Sequence, residues 1–305
     1  MKKVLVFDEI AETAITYLKA NGIEVISNKQ NDDNDLIAHS DADGMILMMH
    51  PVSEKIMSQM PNLKVIARYG VGYDNVNLDD ANAHNIIVTN TPGANATAVA
   101  ETAIMHMLMA GRSFYQQRLS ITEDVNNIQI GQEVTNKTVG IIGFGAIGQK
   151  IDQLLTGFNV KVLAYARHNK VVKNGRMASL EEIYTQSDFV VLALPATSET
   201  NNMIDMAVFK KMKSNAVLVN IGRGTVIDEL ALINALKSGE IAGAGLDVVA
   251  VEPISEDNEL LSLPNVFVTP HVAAKSREAF DTVGLTAAEE VVRVLNGQAP
   301  RYQVN

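Results

Sequence analysis

The sequence predicts an α/β protein with two domains, each built on a parallel β-sheet, and three observations support this fold class. Short apolar segments alternate with amphipathic ones along most of the 305 residues, a pattern typical of strands joined by crossover helices. One glycine-rich turn, within residues 137–165, lies between an apolar run and a helical pattern. With 47% hydrophobic and 20% charged residues, a chain of this length can form about two domain cores.

Residues 1–96 are predicted to form the smaller domain. Strands are expected at residues 4–7, 24–26, 44–49, 64–67 and 86–88, and helices at residues 10–21, 33–39 and 53–60. The turn and helix at residues 91–111 lead out of this domain, and a final helix at residues 276–295 returns to it. We therefore predict a flavodoxin-like domain of residues 1–96 together with residues 280–305.

Residues 97–279 are predicted to form the second, doubly wound domain. Strands are expected at residues 139–142, 160–165, 189–194, 216–221, 243–248 and 266–269, and helices near residues 147–158, 179–186, 206–211 and 229–238. Strands that alternate with helices in this way favour a parallel sheet with helices on both faces. Both domains are thus expected to be Rossmann-like.

The glycine-rich turn reads Gly143-Phe-Gly145-Ala-Ile-Gly148. Gly143 permits a tight turn, Gly145 lets the backbone approach a pyrophosphate, and Gly148 lets the helix pack closely on its strand. The free N–H groups at the start of the helix then face the phosphates. In this strand, turn and helix context, the motif predicts dinucleotide binding.

Composition excludes several classes of function. A net charge of −10 and a pI near 5.1 offer no basic surface for nucleic acid, and the absence of cysteine excludes disulfides and thiolate catalysis. The first apolar run is interrupted by Asp8 and Glu9, too early for a signal peptide, and no run reaches the roughly 20 residues that span a membrane. We expect a cytoplasmic protein without a metal site. Histidines 39, 50, 84 and 106 stand outside any motif and are interpreted as surface or packing residues.

Polar and glycine-bearing turns follow several predicted strands. They comprise residues 69–72, residues 220–224, Asp247 and His271. Because ligands of open parallel sheets bind at the carboxyl ends of the strands, we expect these groups to converge on one cleft between the domains.

These motifs, taken in order, resemble those of the D-isomer-specific 2-hydroxyacid dehydrogenases. The similar stretches are residues 68–75, 91–93, 99–101, 143–148, 194–200, 220–224, 245–253 and 265–273, and they cover nearly the whole chain. The resemblance implies reduction of a 2-keto acid to a D-2-hydroxy acid with a nicotinamide cofactor. It also implies a homodimer, although residues 113–133 match the family poorly.

The resemblance assigns three catalytic residues. His271 is expected to donate a proton to the substrate carbonyl, a task suited to a side chain with an unperturbed pKa of about 6.5. Glu252 resembles the carboxylate that orients this ring and favours its charged form. Arg223 resembles the residue that binds the substrate carboxylate and polarises the carbonyl, for which the guanidinium fork is suited.

The resemblance also implies two sets of binding residues. For substrate they are the backbone N–H groups of Gly70, Val71 and Gly72, with Met48 and Met49 as an apolar wall. For the cofactor they are Gly143, Gly145, Ala146, Ile147, Gly148, Ala166, Arg167, His168, Pro195, Thr200 and Asp247, the last expected near the nicotinamide amide.

The sequence departs from the usual NAD pattern after the second strand of the dinucleotide domain. NAD enzymes usually carry an acid there for the ribose 2′-OH, whereas this chain reads Ala166-Arg167-His168. Because arginine can pair with a 2′-phosphate, we predict NAD(P) with a preference for NADP(H) over NAD(H). An exposed Arg167 that is only a surface charge remains the alternative.

The substrate is predicted to be a small or aliphatic 2-keto acid, such as glyoxylate, hydroxypyruvate or a branched keto acid. Met48 and Met49 stand where relatives acting on 3-phosphoglycerate usually carry arginine and a hydroxyl residue. Two alternatives stay open. One is 3-phosphoglycerate dehydrogenase, for which His50 could contact the phosphate, and the other is a dinucleotide-sensing binding protein of the corepressor type.

Overall fold

The computed structural model describes residues 1–7, 9–28, 32–121 and 130–305. Its chain divides into two compact units, residues 1–95 with 275–305 and residues 96–274. Part of the poorly matching segment 113–133 lies outside the described residues. Within the part that is described, no helix is both long and apolar enough to cross a membrane.

The described residues of the first unit form five strands and five helices. The strands are β1 (Lys2–Phe7), β2 (Ile23–Asn28), β3 (Gly44–Leu47), β4 (Val65–Arg68) and β5 (Ile87–Thr89). The helices are α1 (Glu12–Ala20), α2 (Asp33–Ala38), α3 (Glu54–Met57), α4 (Leu78–Ala83) and, near the end of the chain, α11 (Arg277–Leu295). All strand pairs are parallel, in the order β2-β1-β3-β4-β5. This order confirms the flavodoxin-like prediction.

Both faces of this sheet are covered, which explains why its strands read as continuous apolar runs. Helices α1 and α11 pack on one face, where Leu18 and Val291 join Val4 and Val65 in one core cluster. Helices α2, α3 and α4 cover the opposite face. The side chain of Ser276 caps α11 by accepting a hydrogen bond from the N–H of Ala279, which satisfies one of its free N–H groups.

Seven strands, all parallel, are formed by the described part of the second unit. They are β6 (Thr138–Ile142), β7 (Lys161–Tyr165), β8 (Gly175–Met177), β9 (Phe189–Leu192), β10 (Val217–Asn220), β11 (Gly243–Leu246) and β12 (Val266–Val268). The helices are α5 (Ala96–Gly111), α6 (Phe114–Ser120), α7 (Ala146–Leu154), α8 (Leu180–Gln186), α9 (Met206–Phe209) and α10 (Glu229–Ser238). The order is β12-β11-β10-β9-β6-β7-β8, so the direction of winding reverses between β6 and β9.

This order is that of a doubly wound dinucleotide-binding sheet with a seventh strand, which confirms the predicted fold class. Helices α5 and α7 pack on one face, and α8, α9 and α10 pack on the other. The reversal beside β6 creates a crevice at the carboxyl ends of β6 and β9, where such sheets bind their ligands. The glycine-rich turn follows β6 directly.

Strand β8 is absent from the sequence-based prediction. It is only three residues long, and Gly175 and Arg176 are exposed, so it carries no apolar pattern to detect. The unit boundaries lie after Asn95 and after Ala274, whereas the sequence suggested residues 96 and 279. Helices α4 and α6 are also absent from that prediction, whereas the other helices and strands of the described residues follow the alternating pattern of the sequence.

Candidate active site

The three glycines of the turn after β6 occupy three different environments. Gly143 has φ +97°, and a Cβ added there would lie 2.3 Å from the carbonyl oxygen of Ala193. A Cβ at Gly148 would lie 2.4 Å from the carbonyl oxygen of Gly143. A Cβ at Gly145 would meet nothing within 4 Å. The first and third glycines are therefore required by packing, and the second faces open space.

This open space fits a pyrophosphate group. Gly145 is the N-cap of α7, and no side chain of the described residues caps that helix. Ala146 and Ile147 form its first turn, whose N–H groups and positive dipole end suit an anion. The predicted glycine, Ala146 and Ile147 set is thus brought together at one helix end.

The carboxyl end of β7 carries no acid. Ala166 is half-buried, and Arg167 and His168 are exposed. Among the described residues, the side chains of Arg167 and His168 have no hydrogen-bond or ion-pair partner. Two side chains able to carry positive charge therefore stand unengaged at the strand end that holds the adenosine ribose in dinucleotide-binding folds.

The loop after β9 is closed by one hydroxyl group. The hydroxyl of Thr200 donates to the carbonyl oxygen of Pro195 at 2.8 Å and accepts from the N–H of Thr197 at 2.8 Å. These bonds fix the loop that follows β9, one of the two strands at which the direction of winding reverses. Pro195 itself is exposed.

Arg223 is held on a short turn after β10. The Asn220 side chain donates to the carbonyl oxygen of Arg223 at 2.9 Å and accepts from the N–H of Gly222 at 3.0 Å. A Cβ at Gly222 would lie 2.5 Å from the carbonyl oxygen of Leu194, and one at Gly224 would lie 1.8 Å from that of Val249. Only glycine fits on either side of Arg223, because the turn packs against the loops after β9 and β11.

His271 and Glu252 form a pair. The Nδ1 atom of His271 lies 2.7 Å from Oε2 of Glu252, and the two side chains are 43% and 34% exposed. The other carboxylate oxygen of Glu252 accepts from the N–H of Val249 at 3.3 Å. In the described part of the chain, Nε2 of His271 has no partner. Nε2 is therefore the ring atom of His271 that is left to contact a ligand.

Asp247 is buried beneath the turn that carries His271. Its residue exposure is 1%. Its carboxylate accepts hydrogen bonds from the hydroxyl of Thr269 at 2.6 Å and from the N–H groups of Val272 and Ala273, both at 2.9 Å. These contacts give Asp247 a role in holding residues 269–273. The role expected from the resemblance, near the nicotinamide amide, stays a prediction.

His106 makes a contact within the site that the sequence did not predict. It lies on α5, is fully buried, and its Nε2 is 2.9 Å from the hydroxyl oxygen of Thr269. From the sequence alone it is interpreted as a surface or packing residue, because no motif surrounds it. The only available signal was a histidine within an apolar helical stripe, which does not indicate a partner.

His106 gives a testable pH dependence of stability. Burial lowers its pKa to about 4, from 6.5 for an exposed histidine. As the pH falls, the histidine of the unfolded chain is protonated near pH 6.5, whereas His106 in the folded chain is protonated only near pH 4. The stabilisation by neutral His106 is therefore complete above pH 6.5 and is lost as the pH falls toward 4. Between these pH values we expect wild-type protein to lose about 3 kcal/mol more unfolding free energy than His106→Leu. Denaturant titrations at a series of pH values measure both, and parallel curves would contradict the expectation.

In the first unit, the loop after β4 has its carbonyl groups engaged. The carbonyl oxygens of Gly70, Val71 and Gly72 accept from the N–H of Thr91 at 3.0 Å, the side chain of Asn90 at 2.8 Å and Nε of Arg68 at 2.8 Å. Within the described ranges, the N–H groups of these three loop residues meet no protein acceptor. The loop thus has three N–H donors without an acceptor among the described residues, which suits a carboxylate.

Residues after β3 have mixed surroundings. Met48 packs against the core cluster that contains α1 and α11, and Met49 is 63% exposed. Nε2 of His50 lies 2.9 Å from Oδ1 of Asp33, and Nζ of Lys55 lies 2.8 Å from the other carboxylate oxygen, Oδ2. Met49 is therefore the more accessible of the two predicted methionines, and His50 already has an acidic partner.

Comparison with known proteins identifies one family. The family described as D-isomer specific 2-hydroxyacid dehydrogenase, NAD binding domain, matches residues 104–273. D-3-phosphoglycerate dehydrogenase of Archaeoglobus fulgidus is 36% identical over 311 residues, which cover 99% of this chain but 59% of that relative. Glyoxylate reductase of Pyrococcus furiosus is 38% identical over 280 residues, covering 87% of this chain and 83% of the relative.

A solved structure with a similar fold is also that of a 2-keto acid reductase. It is the NADPH-dependent glyoxylate/hydroxypyruvate reductase of Sinorhizobium meliloti in complex with NADP and malonate. Its TM-score is 0.84 and its identity 28%, and the match covers 99% of this chain and 96% of the other. The chain therefore belongs to the D-isomer specific 2-hydroxyacid dehydrogenase family.

Proposed function

We propose that this protein reduces a 2-keto acid to a D-2-hydroxy acid, with a nicotinamide cofactor as the hydride source. The observation that carries the proposal is the His271–Glu252 pair, which leaves Nε2 of His271 without a protein partner among the described residues. Because all strands of the second unit are parallel, this pair stands at the same sheet edge as the glycine-rich turn and Arg223. An acid, a cation and a dinucleotide cradle on one edge are the groups that this reaction needs.

Each side chain has a separate chemical task in this proposal. The bound nicotinamide supplies hydride chemistry, and the protein orients the reactants and moves the proton. His271 gives its Nε2 proton to the carbonyl oxygen as negative charge develops there, while Glu252 holds the ring through Nδ1 and stabilises the charged imidazole. Arg223 binds the substrate carboxylate and polarises the carbonyl group. The reverse reaction uses neutral His271 as the proton acceptor.

The two units have different roles in this proposal. We assign dinucleotide binding to residues 96–274, which carry Gly143, Gly145 and Gly148, and further contacts with the substrate, beyond those of Arg223, to the first unit. The N–H groups of Gly70, Val71 and Gly72 support the second assignment, since they have no acceptor among the described residues and match the acceptor oxygens of a carboxylate. We also assign cofactor binding to Pro195, Thr200, Ala166 and Asp247.

We further propose a preference for NADP(H). The exposed, unengaged Arg167 and His168 after β7 support it, and the Sinorhizobium meliloti relative is NADPH-dependent. A hydrogen bond to a charged group contributes about 1.5–3 kcal/mol. We expect Arg167→Ala to lower the ratio of kcat/KM with NADPH to that with NADH by about tenfold or more.

Steady-state kinetics with both cofactors test this preference. Arg167→Asp should move the preference further toward NADH, because an acid binds the ribose 2′-OH and repels a 2′-phosphate. Arg176→Ala is a matched control, since Arg176 is an exposed arginine of the same unit that pairs with Glu182. Equal cofactor ratios in Arg167→Ala and wild-type protein would remove the basis for the NADP(H) preference.

The proposed substrate is a small or aliphatic 2-keto acid. The exposed Met49 supports an apolar contact, and the pairing of His50 with Asp33 argues against a phosphate ligand there. A specific observation favours the alternative, 3-phosphoglycerate dehydrogenase, because the Archaeoglobus fulgidus relative carries that name. However, the chain spans 59% of that relative's length.

Turnover assays test the proposed substrate class and its alternatives together. Purified protein is mixed with NADPH or NADH and a panel of 2-keto acids that includes glyoxylate, hydroxypyruvate, branched keto acids and phosphohydroxypyruvate. Absorbance at 340 nm reports oxidation of the cofactor. A higher kcat/KM for phosphohydroxypyruvate would favour the alternative substrate. Clear dinucleotide binding without any turnover would instead favour the binding protein of the corepressor type.

We also propose a cytoplasmic homodimer. The family likeness supports association, and so do the exposed aromatic rings of Phe114 and Tyr115 on α6, which are 47% and 37% accessible. Aromatic side chains are enriched at protein interfaces. Light scattering gives the mass in solution, and a value near 33.0 kDa would mean a monomer.

A further inference from the structure

The backbone of His271 adopts a conformation that needs support. Its φ is +52°, in the left-handed region that residues other than glycine seldom occupy. Such conformations cost about 1–3 kcal/mol and persist where the surroundings hold them in place. The N–H of His271 donates to the carbonyl oxygen of Asp247 at 2.8 Å, and the next two N–H groups donate to the Asp247 carboxylate. Asp247 thus holds the turn by accepting hydrogen bonds from three of its N–H groups.

Asp247 is in turn held from α5. The hydroxyl of Thr269 donates its only hydrogen to the Asp247 carboxylate at 2.6 Å, so the Thr269 oxygen acts as the acceptor for Nε2–H of His106 at 2.9 Å. A second bond from α5 joins the hydroxyl of Thr102 to the carbonyl oxygen of Ala273 at 3.3 Å. The helix therefore contacts the turn at both ends.

A histidine at position 106 is less favourable for packing than an apolar side chain would be, because it buries a polar atom without a partner. Its Nδ1 is buried and finds no hydrogen-bond partner among the described residues. An unsatisfied buried polar atom costs about 1–3 kcal/mol, which an aliphatic side chain at this position would avoid. The bond from Nε2 to Thr269 is what the histidine adds.

We propose that His106 is a positioning residue that acts through Thr269 and Asp247 to fix the turn at residues 269–273 and the direction of the His271 ring. The inference rests on the proposed function, in which His271 transfers the proton. Burial lowers the pKa of His106 to about 4, so at neutral pH its ring is uncharged and keeps a single N–H, on Nε2. No proton moves along this chain of contacts during turnover. Its effect is geometric.

Variants of Thr269 and His106 in the full-length chain test the proposal. Thr269→Val keeps the side-chain shape and removes the hydroxyl, whereas Thr269→Ser keeps the hydroxyl. Misplacement of a reacting group by about 1 Å can cost about 100-fold in rate, so we expect Thr269→Val to lower kcat by about that factor. The KM for keto acid and the Kd for NADPH should change little, and Thr269→Ser should restore most of kcat.

His106 has the same kind of paired variants. His106→Leu removes the donor, and His106→Gln offers an N–H at a similar distance from the backbone. We expect His106→Leu to lower kcat and His106→Gln to restore part of it. Because both side chains act through one hydroxyl, the double variant should be no worse than Thr269→Val alone. Thr89→Val is the control for loss of a threonine hydroxyl, since Thr89 is fully buried and its hydroxyl has no partner in the described residues.

The outcomes separate this inference from the proposed function. Wild-type kcat in Thr269→Val, or equal losses in Thr269→Val and Thr269→Ser, would overturn the positioning role. If wild-type protein turns over no keto acid, the proposed function fails, and amide hydrogen exchange still tests the positioning. The N–H groups of residues 271–273 should then exchange faster in Thr269→Val but not in Thr269→Ser or Thr89→Val. Unchanged exchange in Thr269→Val would overturn the inference.

Discussion

Replacing His271 with alanine is expected to lower kcat for keto-acid reduction by about 100- to 10,000-fold, the range that general acid catalysis contributes. The Nε2 atom of His271 is the proton donor in the proposed reaction, and no other side chain of the described residues joins Glu252 in such a pair. The Kd for NADPH should stay near the wild-type value, since the glycine-rich turn is untouched. Stopped-flow and equilibrium fluorescence measurements give the two quantities separately.

The chain offers a matched control for this variant. Nε2 of His84 lies 2.7 Å from Oε2 of Glu54, the same separation as in the His271–Glu252 pair, but in the first unit. His84→Ala should leave turnover unchanged. Glu252→Gln keeps the shape and removes the charge, and we expect it to lower kcat less than His271→Ala does. Normal turnover in His271→Ala would exclude the acid role.

The fold could be predicted because its determinants are local. The alternation of apolar and amphipathic segments indicates parallel sheets, and the environments of Gly143 and Gly148 agree with the roles that their spacing implies. Strand β8 could not be predicted, since an exposed three-residue strand carries no periodic pattern. Its place in the sheet is set by pairing with β7.

The residues of the candidate site could be named only because ordered motifs accompany them. The bond between His271 and Glu252 joins residues that the family resemblance already pairs. The contacts of His106 join side chains 163 positions apart in the chain, so no local pattern could indicate them. The left-handed backbone of His271 was equally hidden, because it depends on bonds to Asp247 that form only in the folded unit.

Arg223 is the second position at which a single change should have a large effect. The glycines beside it are required by packing against the loops after β9 and β11, and the Asn220 side chain bonds to the turn on both sides of it. The guanidinium group is therefore presented from a rigid turn. A rigid donor aimed at developing charge loses little energy in reorganisation, and removing one such donor typically costs about 100- to 1,000-fold in kcat.

We expect Arg223→Gln to lower kcat by at least about 100-fold and to raise KM for the keto acid, because it removes both the charge and the fork. Arg223→Lys keeps the charge without the planar fork, and its activity should lie between those of the wild type and Arg223→Gln. Arg301→Lys is the control, since Arg301 is an exposed arginine paired with Glu289, and such pairs contribute little. Steady-state kinetics measure kcat and KM. Full activity in Arg223→Lys would mean that charge alone suffices and that the bidentate geometry has no role, whereas full activity in Arg223→Gln would remove Arg223 from the reaction.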